Sequence, residues 1–143
     1  MPKSYSVQRT ISATPERIWG LLIDAGGYTG WNPSVTSLDG RIAAGEKIKL
    51  VSTVNPKRAF SLTVSDVEPE RQMVWSSGMP LGLLKGVRTL SLRPLGDGRT
   101  DFEMEEVYSG PLAPLITKSI PDLTASFGQF ADGLKSAAED RSD

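Results

Sequence analysis

Tyr5, Val7 and Ile11 alternate with Ser6, Gln8 and Thr10, which is the period of a β-strand with one buried face. The same alternation puts Arg9 on the buried side. At Thr14 the period changes. Thr14 and Pro15 form an N-cap and first-turn pair, and Ile18, Trp19, Leu22 and Ile23 recur at helical spacing, so a short helix is predicted as far as Asp24-Ala25-Gly26-Gly27. Tyr28 to Pro33 reads as a second short helical turn or loop carrying Trp31. Strand-like runs follow at Val35 to Leu38, Lys47 to Val54, Phe60 to Val67, Gln72 to Ser77, Gly86 to Leu95 and Thr100 to Ser109. Gly40, Gly45, Asn55-Pro56, Glu68-Pro69-Glu70-Arg71 and Gly96-Asp97-Gly98 separate them as turns, which predicts an antiparallel meander. Beyond Pro111 and Pro114, Ser119-Ile120-Pro121-Asp122 is close to a capping box, and a new helix is predicted to start there. Ile120, Leu123, Phe127, Phe130, Ala131, Leu134 and Ala138 then mark one apolar face of a long amphipathic helix, with Glu139 to Asp143 as a frayed tail.

Strands first and one long helix last make an α+β chain. A single helix cannot cover the whole apolar face of such a sheet, so either the sheet curls tightly or a cavity remains. The 143 residues suit one domain, 1–143, and 38% apolar residues together with 14 glycines suffice for a core.

Charge narrows the partners. With 16 Lys+Arg against 17 Asp+Glu there is no basic footprint for a phosphate backbone, so no nucleic-acid partner is expected. No apolar run reaches the roughly 18 residues of a bilayer span, and Met1-Pro2-Lys3-Ser4 leads into a polar segment without a signal sequence, so no integral membrane association and a cytoplasmic location are expected. The chain has no Cys and no His. Thiolate nucleophiles, serine–histidine pairs and the commonest zinc ligands are therefore excluded, and neither a metal site nor a cofactor is expected. Any catalysis falls to Asp, Glu, Lys, Arg, Tyr, Ser or a bound cofactor.

The order of elements is carried by Ile11-Ser12-Ala13-Thr14-Pro15-Glu16-Arg17-Ile18-Trp19, Trp31-Asn32-Pro33, Gly98-Arg99-Thr100, and Leu134-Lys135 with Ala138-Glu139. In this order and spacing it resembles the START-like, or helix-grip, superfamily, in its polyketide cyclase/dehydrase-type branch. The resemblance implies a curved antiparallel sheet of about seven strands wrapped around the C-terminal helix, two short helices after the first strand, and an internal cavity for a lipid or polyketide-like molecule.

Alternation assigns Leu50, Phe60, Leu62, Trp75, Leu90 and Met104 to the inner face, with Ile120 and Phe127 on the helix opposite. Periodicity does not separate core from pocket lining, and it is the resemblance that favours a pocket. Trp31, in a glycine-flanked polar loop, is either a pocket rim or a loop anchor. Met79 to Leu84 is an apolar connection that reads as a lid, a partner patch or a membrane-touching loop, or as packing on the sheet edge.

If the last hairpin centres on Asp97, then Leu92 faces Phe102, Leu90 faces Met104 and Arg88 faces Glu106, all on the apolar side. Buried charges of this kind need a partner or a purpose. Arg88 and Glu106 are a structural ion pair or a polar anchor for a ligand; Arg9 could reach the same place if the first strand borders the last. As an enzyme, the chain would be a metal-free cyclase or dehydratase in which Glu106 or Tyr108 moves protons beside Arg88. As a binding module it would hold the ligand unchanged, and a third reading is an interaction protein similar to the chaperone-ATPase activators of the superfamily.

Overall fold

The computed structural model describes residues 3–53, 55–78, 80–116 and 123–140. Strand β1 (Lys3–Ile11) leads to helix α1 (Pro15–Leu22), a single 3-10 turn (Ala25–Gly27) and the one-turn helix α2 (Tyr28–Trp31). Strands β2 (Val35–Gly40), β3 (Lys47–Ser52), β4 (Asn55–Glu68), β5 (Gln72–Gly78), β6 (Lys85–Gly96) and β7 (Arg99–Ser109) follow, then α3 (Ala113–Ile116) and the long helix α4 (Thr124–Glu139). The curled, wholly antiparallel sheet has the order β1-β7-β6-β5-β4-β3-β2. Among the described strands only the β1–β7 pairing joins strands distant in sequence, and it seats the first strand beside the last.

Each helix follows from its sequence. Thr14 Oγ1 accepts the Arg17 backbone N–H at 3.3 Å, Pro15 fills the first helical position, and Ile18, Trp19 and Leu22 turn inward. Helix α4 buries Phe127, Phe130, Ala131, Leu134 and Ala138 against Phe102, Leu90, Trp75 and Ile11. Its C-terminal carbonyls, which have no partner within the helix, are met by Arg17, whose Nε donates to Ala138 O at 2.5 Å and whose Nη2 donates to Ala137 O and Asp140 O. Lys135 binds both Glu139 at 2.6 Å and Thr10 O at 3.0 Å, and Glu139 accepts the Ser12 N–H at 2.8 Å. This end of α4 is tied to β1 and α1 by charge-assisted bonds.

Three expectations need correction. Asn55-Pro56 is not a turn: it opens β4, with Asn55 opposite Ser52, because the chain reverses before it. Glu139 is not part of a frayed tail but a bonded residue of the last turn of α4. Helix α3 has no counterpart among the predicted elements, and proline is tolerated in its first turn. Arg9 does not reach Arg88 and Glu106: it stands opposite Phe102, four positions or about 13 Å along β1 from the residue opposite Glu106, and its Nε binds Asp132 of α4 at 2.8 Å. Ser119 to Asp122, the expected helix start with Ile120, lies outside the described residues. No helix among the described residues is long and apolar enough to cross a membrane.

Candidate functional site

The β6–β7 hairpin sets the site. Asp97 and Gly98 take positive φ at its tip, and a bulge between Pro94 and Gly96 absorbs the odd residue. The ladder below then runs Leu92 opposite Phe102, Leu90 opposite Met104 and Arg88 opposite Glu106, as the alternation predicts. Arg88 Nε donates to Glu106 Oε1 at 2.8 Å, and the two side chains are only 13% and 14% exposed. The second carboxylate oxygen accepts the Tyr108 hydroxyl.

Neighbouring elements hold this trio in place. Gly86 lies opposite Tyr108, and a Cβ there would sit 3.3 Å from Tyr108 Cε1, so the missing side chain makes room for the ring. Trp75 of β5 flanks Arg88 on one side. From α4, the Phe127 ring packs under the guanidinium, its centre 4.9 Å from Cζ, in a cation–π contact. Tyr5 of β1 stands opposite Glu106, and its ring centre is 6.0 Å from that of Phe127.

The charges of Arg88 and Glu106 cancel. Burial, then the adjacent Glu106 carboxylate, pushes the Tyr108 phenol far above its ordinary range, so it stays protonated and donates. Among the described residues, neither Nη of Arg88 donates a hydrogen bond. A guanidinium has five N–H groups, so four remain for another acceptor. Arg88 borders a cavity of about 30 Å³ together with Met104 and Leu50 on the sheet and Ser126, Phe127 and Phe130 on α4, with Ser34, Val35 and Ser52 completing it. That is room for about one water.

The structure thus brings together Leu50, Arg88, Met104, Glu106, Tyr108 and Phe127 of the expected set. Trp75 and Leu90 lie in the solid part of the core, and Phe60 and Leu62 are partly buried on β4 beside Leu50 and Ile48. The Trp31 ring packs 4.7 Å from Tyr28 and edge-on to Phe130 at 5.6 Å, the geometry of a loop anchor. Reading the sequence missed Tyr5, whose role depends on the β1–β7 pairing, and the serines 34, 52 and 126, which carry no pattern. Three buried donors, Nε1 of Trp31 and Trp75 and Nδ2 of Asn32, have no partner among the described residues. No cluster of metal-ligating side chains occurs among these residues either.

No curated protein matches the sequence. Solved structures do match its fold. An aromatase/cyclase from a Streptomyces species superposes with a TM-score of 0.75 at 14% identity, covering 100% of this chain and 97% of its own. The MLL2253 protein of Mesorhizobium loti gives 0.73 at 24% identity over 99% of both chains. A START superfamily protein from Mycobacterium smegmatis gives 0.69 at 17% identity over 95% and 97%. At these identities the likeness establishes the helix-grip architecture alone. The sequence itself matches one family across residues 2–139, so the chain belongs to the polyketide cyclase/dehydrase and lipid transport family.

Proposed function

We propose that residues 1–143 act as one binding domain for a small hydrophobic molecule, lipid-like or polyketide-like, held between the concave face of the sheet and α4 with Arg88 as its polar anchor. The observation that carries this reading is Arg88 itself. Its side chain is nearly buried, neutralised by Glu106, stacked on Phe127, and lines a cavity shared by apolar side chains and three serines. Neutralisation by Glu106 fits an uncharged acceptor such as a carbonyl or hydroxyl better than an anion, which would leave the site with net negative charge. The family description, which joins cyclases to lipid transport, supports the same class of ligand.

Binding without turnover is favoured over proton transfer by the state of the two candidates. Both oxygens of Glu106 already accept hydrogen bonds, and Tyr108 is held protonated. A cavity of about 30 Å³ has to widen for any such molecule. Because α4 is tied at its C-terminal end, room is made at the end bearing Ser126 and Phe127. Titration with an anilinonaphthalene sulfonate probe tests this: saturable binding at one site is expected, strengthened by Phe127→Ala, which enlarges the cavity. No saturable binding by either protein, together with no small molecule carried through native mass spectrometry, would sink the proposal.

A further inference from the structure

Leu81, at the tip of the β5–β6 connection, breaks two rules at once. Its backbone is left-handed, with φ 63° and ψ 21°, a conformation suited to Gly, Asn or Asp. Its side chain is 96% exposed. Asparagine would satisfy both backbone and solvent, so nothing within the fold calls for leucine there. Leu115 on α3 is 69% exposed. The segments bearing these two leucines are clasped together. Leu112 N–H donates to Leu83 O at 2.9 Å, and at Gly110, whose φ is 107°, a Cβ would lie 2.7 Å from the carbonyl oxygens of both Gly82 and Leu83. The leucines are therefore prongs on a braced base.

Charge is partitioned to the same end of the sheet. Strand register places Lys3 beside Tyr108, Lys85 beside Ser109 and the β3–β4 hairpin at this end. The described side chains within 3–5, 53–60, 78–86 and 107–116 include Lys57 and Lys85 and no acid, in a chain with 17 Asp+Glu against 16 Lys+Arg. Lys57 and Lys85 are exposed. The nearest acids on β7 are Glu106, which is engaged by Arg88, and Glu105.

We infer that this end of the molecule docks on an anionic lipid surface, with Leu81 and Leu115 entering the boundary between headgroups and acyl chains and Lys57 and Lys85 meeting the phosphates. A fluid bilayer accepts protruding single side chains, whereas a protein partner would need a preformed recess for each. The basic surroundings match the negative potential of such a membrane. The inference stands whether or not the interior holds a ligand.

Co-sedimentation of the purified full chain with phosphatidylcholine vesicles, alone and containing about a third phosphatidylserine, tests it at low and raised salt. Binding to the anionic vesicles is expected, weakened by salt, lowered about fivefold by Lys57→Gln or Lys85→Gln, and lowered about tenfold or more by Leu81→Asn with Leu115→Gln. Because asparagine suits the left-handed backbone and Leu115 is exposed, an unchanged or raised Tm for the doubly replaced protein shows that such a loss is not unfolding. Three outcomes overturn the inference: no sedimentation with anionic vesicles, binding that the leucine replacements leave intact, or leucine-dependent retention on immobilised polyglutamate without vesicle binding. The last would assign the surface to an acidic protein instead.

Discussion

Arg88 and Glu106 face each other across β6 and β7, joined at 2.8 Å on the concave side of the sheet, with Tyr108 closing the second carboxylate oxygen and Phe127 covering the guanidinium. Each charge is tolerated inside because the other is there. The trio places a polar group amid apolar side chains without leaving net charge behind.

The pair makes a sharp thermodynamic prediction. Arg88→Met leaves a nearly buried carboxylate with only a phenol for company, and Glu106→Leu strands a guanidinium; each should cost about 3 kcal/mol or more. The double replacement removes both charges and should recover most of the loss. Denaturant unfolding of the four proteins measures the coupling. Simply additive losses would mean that the two side chains do not depend on each other.

Tyr108 and Tyr28 predict an alkaline limit. Burial raises both phenols above the ordinary value of 10.0, Tyr28 donating to Leu22 O at 2.5 Å and Tyr108 to Glu106. A phenol whose folded pKa is raised contributes stability that is fully present below its unfolded pKa and is lost as pH rises toward the folded one. Stability should therefore be flat in the phenol contribution up to about pH 9 and fall above pH 10. Tyr108→Phe should make that fall shallower. Phenolate absorbance supplies a second readout, since Tyr28 and Tyr108 should ionise only as the protein unfolds.

Much of this was legible in the sequence because β-structure has a period of exactly two. Once Gly96-Asp97-Gly98 fixes the turn, every facing pair down to Arg88 and Glu106 follows, and the resemblance to helix-grip proteins supplies the strand order. Arg9 shows where that logic ends. Alternation fixes the face a residue points to but not its height along the strand, and Arg9 is too far from Glu106 to contribute. Tyr5, which does stand opposite Glu106, is visible only once β1 is paired with β7. Cavity size was likewise out of reach, because it depends on how Phe127 and Phe130 seat against Met104 and Leu50 rather than on which residues are apolar.

Two glycines of α4 provide a final test, because helix propensity treats them alike and packing does not. Glycine in a helix interior is about 1 kcal/mol worse than alanine, so replacement ordinarily stabilises. At Gly128 the nearest atom to an added Cβ is Arg9 Nη2 at 3.7 Å, an ordinary contact, and Gly128→Ala should raise stability by about 0.5 to 1 kcal/mol. At Gly133 the added Cβ would lie 2.1 Å from Trp31 O and 3.0 Å from Pro33 Cδ. That carbonyl ends α2, and its ring is wedged between Tyr28 and Phe130, so the clash cannot be relieved by turning a flexible side chain. Gly133→Ala should then lose about 1 to 3 kcal/mol, propensity gain included, as α2 is pushed away from α4. Thermal unfolding of both variants should move Tm in opposite directions. A rise for both would show that α2 does not press on α4 at Gly133, and that Trp31 is not the anchor that holds the short helices to the long one.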